Sequence, residues 1–74
     1  MMPPVKKGDR VVMKNWPEIT TIVADVFWHD SDARWVIIVD WGMHGISKVY
    51  GDDEGKTWIR LSQQQLVSLD MNVN

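Results

Sequence analysis

The chain has 74 residues, a formal net charge of −2 and no cysteine. That length admits one small domain, the lack of cysteine excludes a disulfide or thiolate-metal staple, and the charge argues against a dedicated non-specific nucleic-acid binder. A hydrophobic share of 45% excludes a disordered chain, and no apolar run approaches the ~20 residues of a membrane helix. A cytoplasmic, intracellular protein without signal peptide or membrane contact is the expectation.

Helical periodicity is nearly absent, whereas ten Val, six Ile and five Trp favour half-buried strands. Residues 1–5, with Pro3 and Pro4, read as a flexible tail. Lys7-Gly8-Asp9 reads as a turn that starts a first strand, Arg10–Lys14, with Val11 and Met13 on one face. Asn15–Glu18 reads as a loop because Pro17 cannot donate to a ladder. Thr20–Trp28 is the second expected strand: Ile22, Ala24, Val26 and Trp28 share one face, Thr21, Val23, Asp25 and Phe27 the other. His29–Ala33 is a polar hairpin loop. Arg34–Trp41 is apolar on both faces, so this third strand should be central and covered on each side. Gly42–Gly45 is a turn, Ile46–Tyr50 a fourth strand, Gly51–Gly55 another turn and Thr57–Leu61 a fifth strand. Ser62–Gln65 suits one short 3₁₀ turn, Leu66–Leu69 a closing strand, and 71–74 a flexible C-terminal tail. Five or six short strands across residues 6–70 predict a single all-β domain, a small closed barrel that leaves no exposed sheet edge.

Charge is uneven along the chain. Lys6, Lys7, Arg10 and Lys14 against Asp9 give residues 1–14 a local +3, and eight acids against Arg34 and Lys48 give residues 15–54 a local −6. Acids are favoured in turns between strands; gathered on one face they would steer a basic partner.

Strand order and turn placement resemble the SH3-like barrel. Within that class Val36-Ile-Ile-Val-Asp-Trp-Gly42 resembles the Tudor core, where a hydrophobic strand ends in Asp, an aromatic and Gly. Gly8-Asp9-Arg10-Val11 is similar to the opening of Tudor and KOW-type domains. Gly8-Asp-Arg-Val-Val12 with Trp16, then Asp40-Trp-Gly42, Tyr50 and Glu54-Gly-Lys56, also run in an order similar to the Mind-bomb type of domain. The Tudor resemblance implies an aromatic cage for methylated Lys or Arg. It places Trp16 and Trp41 at two cage positions, and Ile38 and Met43 at two others that lack the usual aromatic and Asn.

Five tryptophans in so short a chain are the most informative feature. Each aromatic buries roughly 150–250 Å² when covered, and a domain of this size covers only about 60% of its unfolded-chain surface. Two or three of the five should therefore stay partly exposed. Trp28 and Trp35 should meet across their hairpin, with Trp58 beside them. Exposed indoles can cap the barrel ends, form a homo-oligomer interface or line a groove for a partner. Stacking on nucleic acid needs basic residues beside the aromatics, and the acids Asp25, Asp30, Asp32 and Asp40 stand there instead.

Chemistry-bearing motifs are few. His29, Asp30 and Asp32 lack metal-ligand spacing. Asp52-Asp53-Glu54 cannot converge on one ion. No serine stands in triad relation to a histidine, no phosphate loop is present, and Asp25 should face outward. The reading is a non-enzymatic protein-interaction module without cofactor or metal. Its partner site is Trp28, Trp35, Trp41 and Trp58 with Tyr50 and Trp16, bordered by Asp30 and Asp40, for a basic or cationic protein or peptide segment. A homo-oligomer joined through its Trp surfaces is one alternative. A nucleic-acid-binding barrel using Lys6, Lys7, Arg10 and Lys14 is another.

Overall fold

The computed structural model describes residues 2–61. The β-branched and aromatic runs form five strands: β1 (Arg10–Met13), β2 (Trp16–His29), β3 (Arg34–Asp40), β4 (Ile46–Tyr50) and β5 (Trp58–Arg60). All pairings between them are antiparallel, in the order β4-β3-β2-β1-β5. Successive strands from β1 to β4 are neighbours, and β5 returns to lie beside β1. Among the described residues no pairing joins β4 to β5, so the sheet is open where closure was expected. The expected turn at Ser62–Gln65, the closing strand at Leu66–Leu69 and the tail at 71–74 lie outside the described residues. Among the described residues, short 3₁₀ turns stand at Gly42–His44 and Gly51–Asp53, inside two of the expected turns.

The opening turn is built by Gly8 and Asp9. Gly8 has φ 94°, a conformation with no Cβ penalty only for glycine. The Asp9 carboxylate accepts from Lys6 N–H at 2.9 Å, and the Asp9 carbonyl accepts from Val23 N–H at 2.8 Å. The turn is thereby tied to β2.

β2 is longer than expected and starts at Trp16, not Thr20. Pro17 is tolerated because residues 17–19 have no partner on β1: Met13 pairs with Trp16 and Val12 with Thr20. A missing N–H therefore breaks no ladder bond there. The N-terminal half of β2 pairs with β1 and the C-terminal half with β3, and Ile22 pairs with both. Just beyond, Val23 faces Val39 and Asp25 faces Ile38, which leaves Ala24 as an extra residue, a β-bulge. The bulge re-phases the strand. Thr21 and Val23 are buried before it, whereas Val26 and not Asp25 packs against the core after it. The expected grouping of Ile22 with Val26 and Trp28 is thus corrected, and Ile22 is 42% exposed.

The core gathers Val5, Val11, Met13, Val23, Ile37, Val39 and Trp58. Each fully buried aliphatic side chain contributes about 1.5–3 kcal/mol against exposure. Thr21, also fully buried, donates its hydroxyl to the Val11 carbonyl at 2.9 Å, so no polar atom of its side chain is stranded. Val36, on the other face of β3, is buried too, but on that face Ile38 is only half-buried and Asp40 exposed, and β2 rather than β3 is the central strand. Val5 corrects the expected tail boundary: at 3% exposure it belongs to the core.

Candidate functional site

The tryptophans do not form one patch. Trp58 is fully buried, with its indole N–H donated to the Tyr50 carbonyl at 2.7 Å. It is the central core residue and offers nothing to a partner, contrary to its expected place in the site. Trp35 lies near the start of β3 and Trp41 just beyond its end, six positions apart, about 20 Å at strand rise. Each meets a different indole.

At one end of β3, Trp16 and Trp41 meet edge to face, with centroids 6.2 Å apart and planes at 72°. The Gly42–His44 turn positions Trp41: its N–H donates to the Gly45 carbonyl at 2.8 Å, and the indole N–H donates to Ser47 Oγ at 2.7 Å. Asp40 serves the same turn, accepting from Gly42 N–H at 2.7 Å. Trp16, Trp41, Ile19, Ile46, His44 and Ser47 line a cleft of about 240 Å³. Trp16 is 56% and Ile46 70% exposed. The Trp41 N–H is already bonded, so Trp41 presents π surface to the cleft, beside the aliphatic carbon of Ile19 and Ile46.

At the other end, Trp28 and Trp35 are cross-strand partners and meet at 5.4 Å and 73°, the contact expected from the hairpin. A cleft of about 390 Å³ opens there, bounded by this pair, by Gly51 and Asp52, and by Met2 and Pro4 of the N-terminal segment. Trp35 Nε1 is buried and has no acceptor among the described residues. Arg34 forms one side, donating through Nε and Nη2 to Asp52 Oδ1 at 3.1 and 3.0 Å, with Asp53 at 3.7 Å. The hydrogen bond from Arg34, more than its charge, holds the Asp52 carboxyl below the ordinary aspartate range.

Tyr50 belongs to neither cleft. It faces Val36 across the ladder, with the Arg34 guanidinium 3.6 Å from its ring centroid and Lys48 Nζ at 5.5 Å. Asp30 stands exposed in the hairpin loop, where its carbonyl accepts from Ala33 N–H at 3.2 Å. The basic residues of the first segment do not converge on either tryptophan pair. Lys6 and Lys7 lie before β1 and Arg10 pairs with Ile22. Lys14, beyond the other end of β1, donates to the Gly55 carbonyl at 3.0 Å. Asp25 is exposed and accepts from Val26 N–H at 2.9 Å.

Ile19, His44, Ile46 and Ser47 at the first cleft, and Pro4 and Gly51 at the second, escape a reading of the sequence. They are brought in by a bent strand and two turns, and none carries a periodic signal of its own. Comparison of the chain with family models, with curated proteins and with solved structures returns no match.

Proposed function

We propose that the chain is a non-enzymatic interaction module of SH3-like barrel type that holds a segment of a protein partner against Trp16 and Trp41. The observation that carries this reading is the edge-to-face pair opening on an apolar cleft, with the Trp41 indole N–H already bonded to Ser47. Such a cleft offers two things: burial of aliphatic carbon, and the negative face of an indole to a cation. A lysine side chain uses both, its methylene stem against Ile19 and Ile46 and its ammonium over a ring. Asp40 and Glu18, close in sequence to the two tryptophans and exposed, add attraction for positive charge. The finer fold assignment rests on the sheet order and on the long bent β2 that serves both halves of the sheet. It agrees with the resemblance that places Trp16 and Trp41 together.

The test uses the indole ¹⁵N–¹H resonances, one for each tryptophan. A lysine-bearing peptide should move the Trp16 and Trp41 signals, and norleucine in place of lysine should weaken binding. Trp41→Ala should reduce affinity at least tenfold while leaving a folded spectrum. Unmoved Trp16 and Trp41 signals at millimolar peptide would end this reading.

A further inference from the structure

One hydrogen bond fixes which backbone groups of β4 are open. In an antiparallel pair only alternate residues exchange bonds with the strand opposite, and those between turn their N–H and carbonyl groups the other way. The register sets Asp40 opposite Ile46, so Trp41 and Gly45 stand opposite each other one step further on, where the Trp41 N–H donates to the Gly45 carbonyl at 2.8 Å. By alternation, Ser47 and Val49 bond to β3, while Ile46, Lys48 and Tyr50 turn their backbone groups away from it. The Tyr50 carbonyl agrees with this phase, because the Trp58 indole N–H reaches it from the strand at the far edge of the sheet. Among the described residues the backbone groups of Ile46 and Lys48 have no partner. They flank Ser47, and Ile46 and Ser47 both line the first cleft.

We propose that the segment held at the Trp16–Trp41 cleft binds as an added strand on this edge, antiparallel to β4, and that it carries an acid, a lysine and an aliphatic residue in that order. This rests on the cleft reading above and adds to it a backbone mode and a sequence requirement. Open edge N–H and carbonyl groups give affinity for any extended segment, and side chains give the choice among segments. Ser47 faces buried Val39 and so lies on the inner side of the sheet, where the Trp41 indole is bonded to it. A lysine opposite Ser47 points the same way and enters the cleft. Lys48 lies on the other face, exposed, with its Nζ 5.5 Å from the Tyr50 ring centroid, and an acid opposite it makes a cross-strand ion pair. Ile46, exposed on the same face as Lys48, takes an aliphatic neighbour. Antiparallel pairing reverses direction, so the residue opposite Lys48 comes first, the one opposite Ser47 second and the one opposite Ile46 third. The open stretch ends at Tyr50, whose carbonyl is taken.

The experiment titrates the ¹⁵N-labelled chain with the acetylated, amidated peptide Thr-Val-Glu-Lys-Val-Thr, and with three forms of it N-methylated in turn at the glutamate, the lysine and the valine that follows. With the parent peptide the backbone amides of Ile46 and Lys48 should move downfield and exchange at least tenfold more slowly, alongside shifts of the Trp16 and Trp41 indole signals. N-methylation at the glutamate or at the following valine removes an N–H aimed at β4 and should weaken binding at least tenfold. N-methylation at the lysine, whose N–H faces away from β4, should change binding by less than about twofold. Lys48→Glu should weaken the parent peptide about threefold, and a peptide with lysine in place of glutamate should recover the loss. Equal binding of the three methylated peptides, or Ile46 and Lys48 amides already protected from exchange in the free chain, would overturn the proposal. Indole signals that move while the Ile46 and Lys48 amides stay still would overturn it too and leave the cleft reading standing, so the two failures are distinguishable. The peptide comparison needs no altered protein and so stands even if Lys48→Glu fails to fold.

Discussion

Ala33 is the one described non-glycine residue with positive φ, at 53°. It closes the hairpin by donating to the Asp30 carbonyl. A left-handed conformation costs an alanine about 1 kcal/mol that glycine does not bear, while glycine makes the unfolded chain freer by about half that. Ala33→Gly should therefore raise stability by about 0.5 kcal/mol, or roughly 2–4 °C in a melting experiment on a domain of this size. Ala33→Val should lower it, since a β-branched side chain fits that region worst. Trp58 and Trp16 make the opposite contrast among residues of one type. Trp58→Phe leaves the Tyr50 carbonyl without its donor inside the core and opens a small void, so urea unfolding should show a loss of about 2–4 kcal/mol. Trp16→Ala, at a side chain more than half exposed, should change stability by less than about 1 kcal/mol. Asp52 carries a pH dependence of definite sign. Its carboxyl is held low in the folded state by the Arg34 hydrogen bond, so the fold is favoured above the ordinary aspartate range. That contribution is lost as pH falls through the lowered folded value. An NMR titration of the Asp52 carboxyl should give a midpoint that rises in Arg34→Gln; an unchanged midpoint would remove Arg34 as the cause.

At the scale of elements, the bulge at Ala24 governs what the long strand can do. Removing Ala24 leaves Val23 opposite Val39 and Asp25 opposite Ile38, a continuous ladder with the same residues facing inward. What it removes is the bend that lets one strand serve both β1 and β3. Deletion of Ala24 should therefore lower stability by about 1–3 kcal/mol, with hydrogen-exchange protection falling most in β1 and β5. Uniform loss across all strands would show that the bulge is not the hinge of the sheet. The same bulge marks the limit of what the sequence discloses. β1, β3 and β5 follow from local alternation to within a residue at each end, and β4 spans the expected Ile46–Tyr50. A bulge, in contrast, is a mismatch in count between two strands and is written on neither alone. Alternation carried through residue 24 therefore put Ile22 on the wrong side. Pro17 misled for a related reason, because a proline excludes a ladder bond only where the partner strand asks for one. For the site, aromatic identity was legible but grouping was not. Trp28 meets Trp35 because hairpin register is local. Trp16 meets Trp41 through the bend of β2, and Trp58 reaches the core by the return of β5 to β1.

For the whole molecule, the question is whether its exposed indoles face a partner or another copy of the same chain. Among the described residues β4 pairs only with β3, and β5 only with β1, so each has a side open to further pairing. Several features discourage self-pairing. β5 is three residues long, and short edge strands are poor templates. β4 carries exposed Lys48 at its centre, a charge that would have to be desolvated in an edge-to-edge dimer. The stretch that supplies β2, β3 and β4 has a local charge of −6, so two such surfaces repel when brought together. Against this stand Ile46, Trp16 and Met43, exposed at one end of the sheet, whose burial would favour association. They are scattered over the starts of two strands and a 3₁₀ turn, and Trp16 and Ile46 line a cleft rather than a flat face that could meet itself. Light scattering on a sizing column over a hundredfold range of concentration should therefore give a constant monomer mass, leaving both tryptophan pairs accessible. A concentration-dependent dimer that returns to monomer with Trp16→Ala would place the first cleft in a self-interface. A dimer indifferent to Trp16 but disrupted by proline at Ser47 would place it at the β4 edge, with both clefts still open to partners.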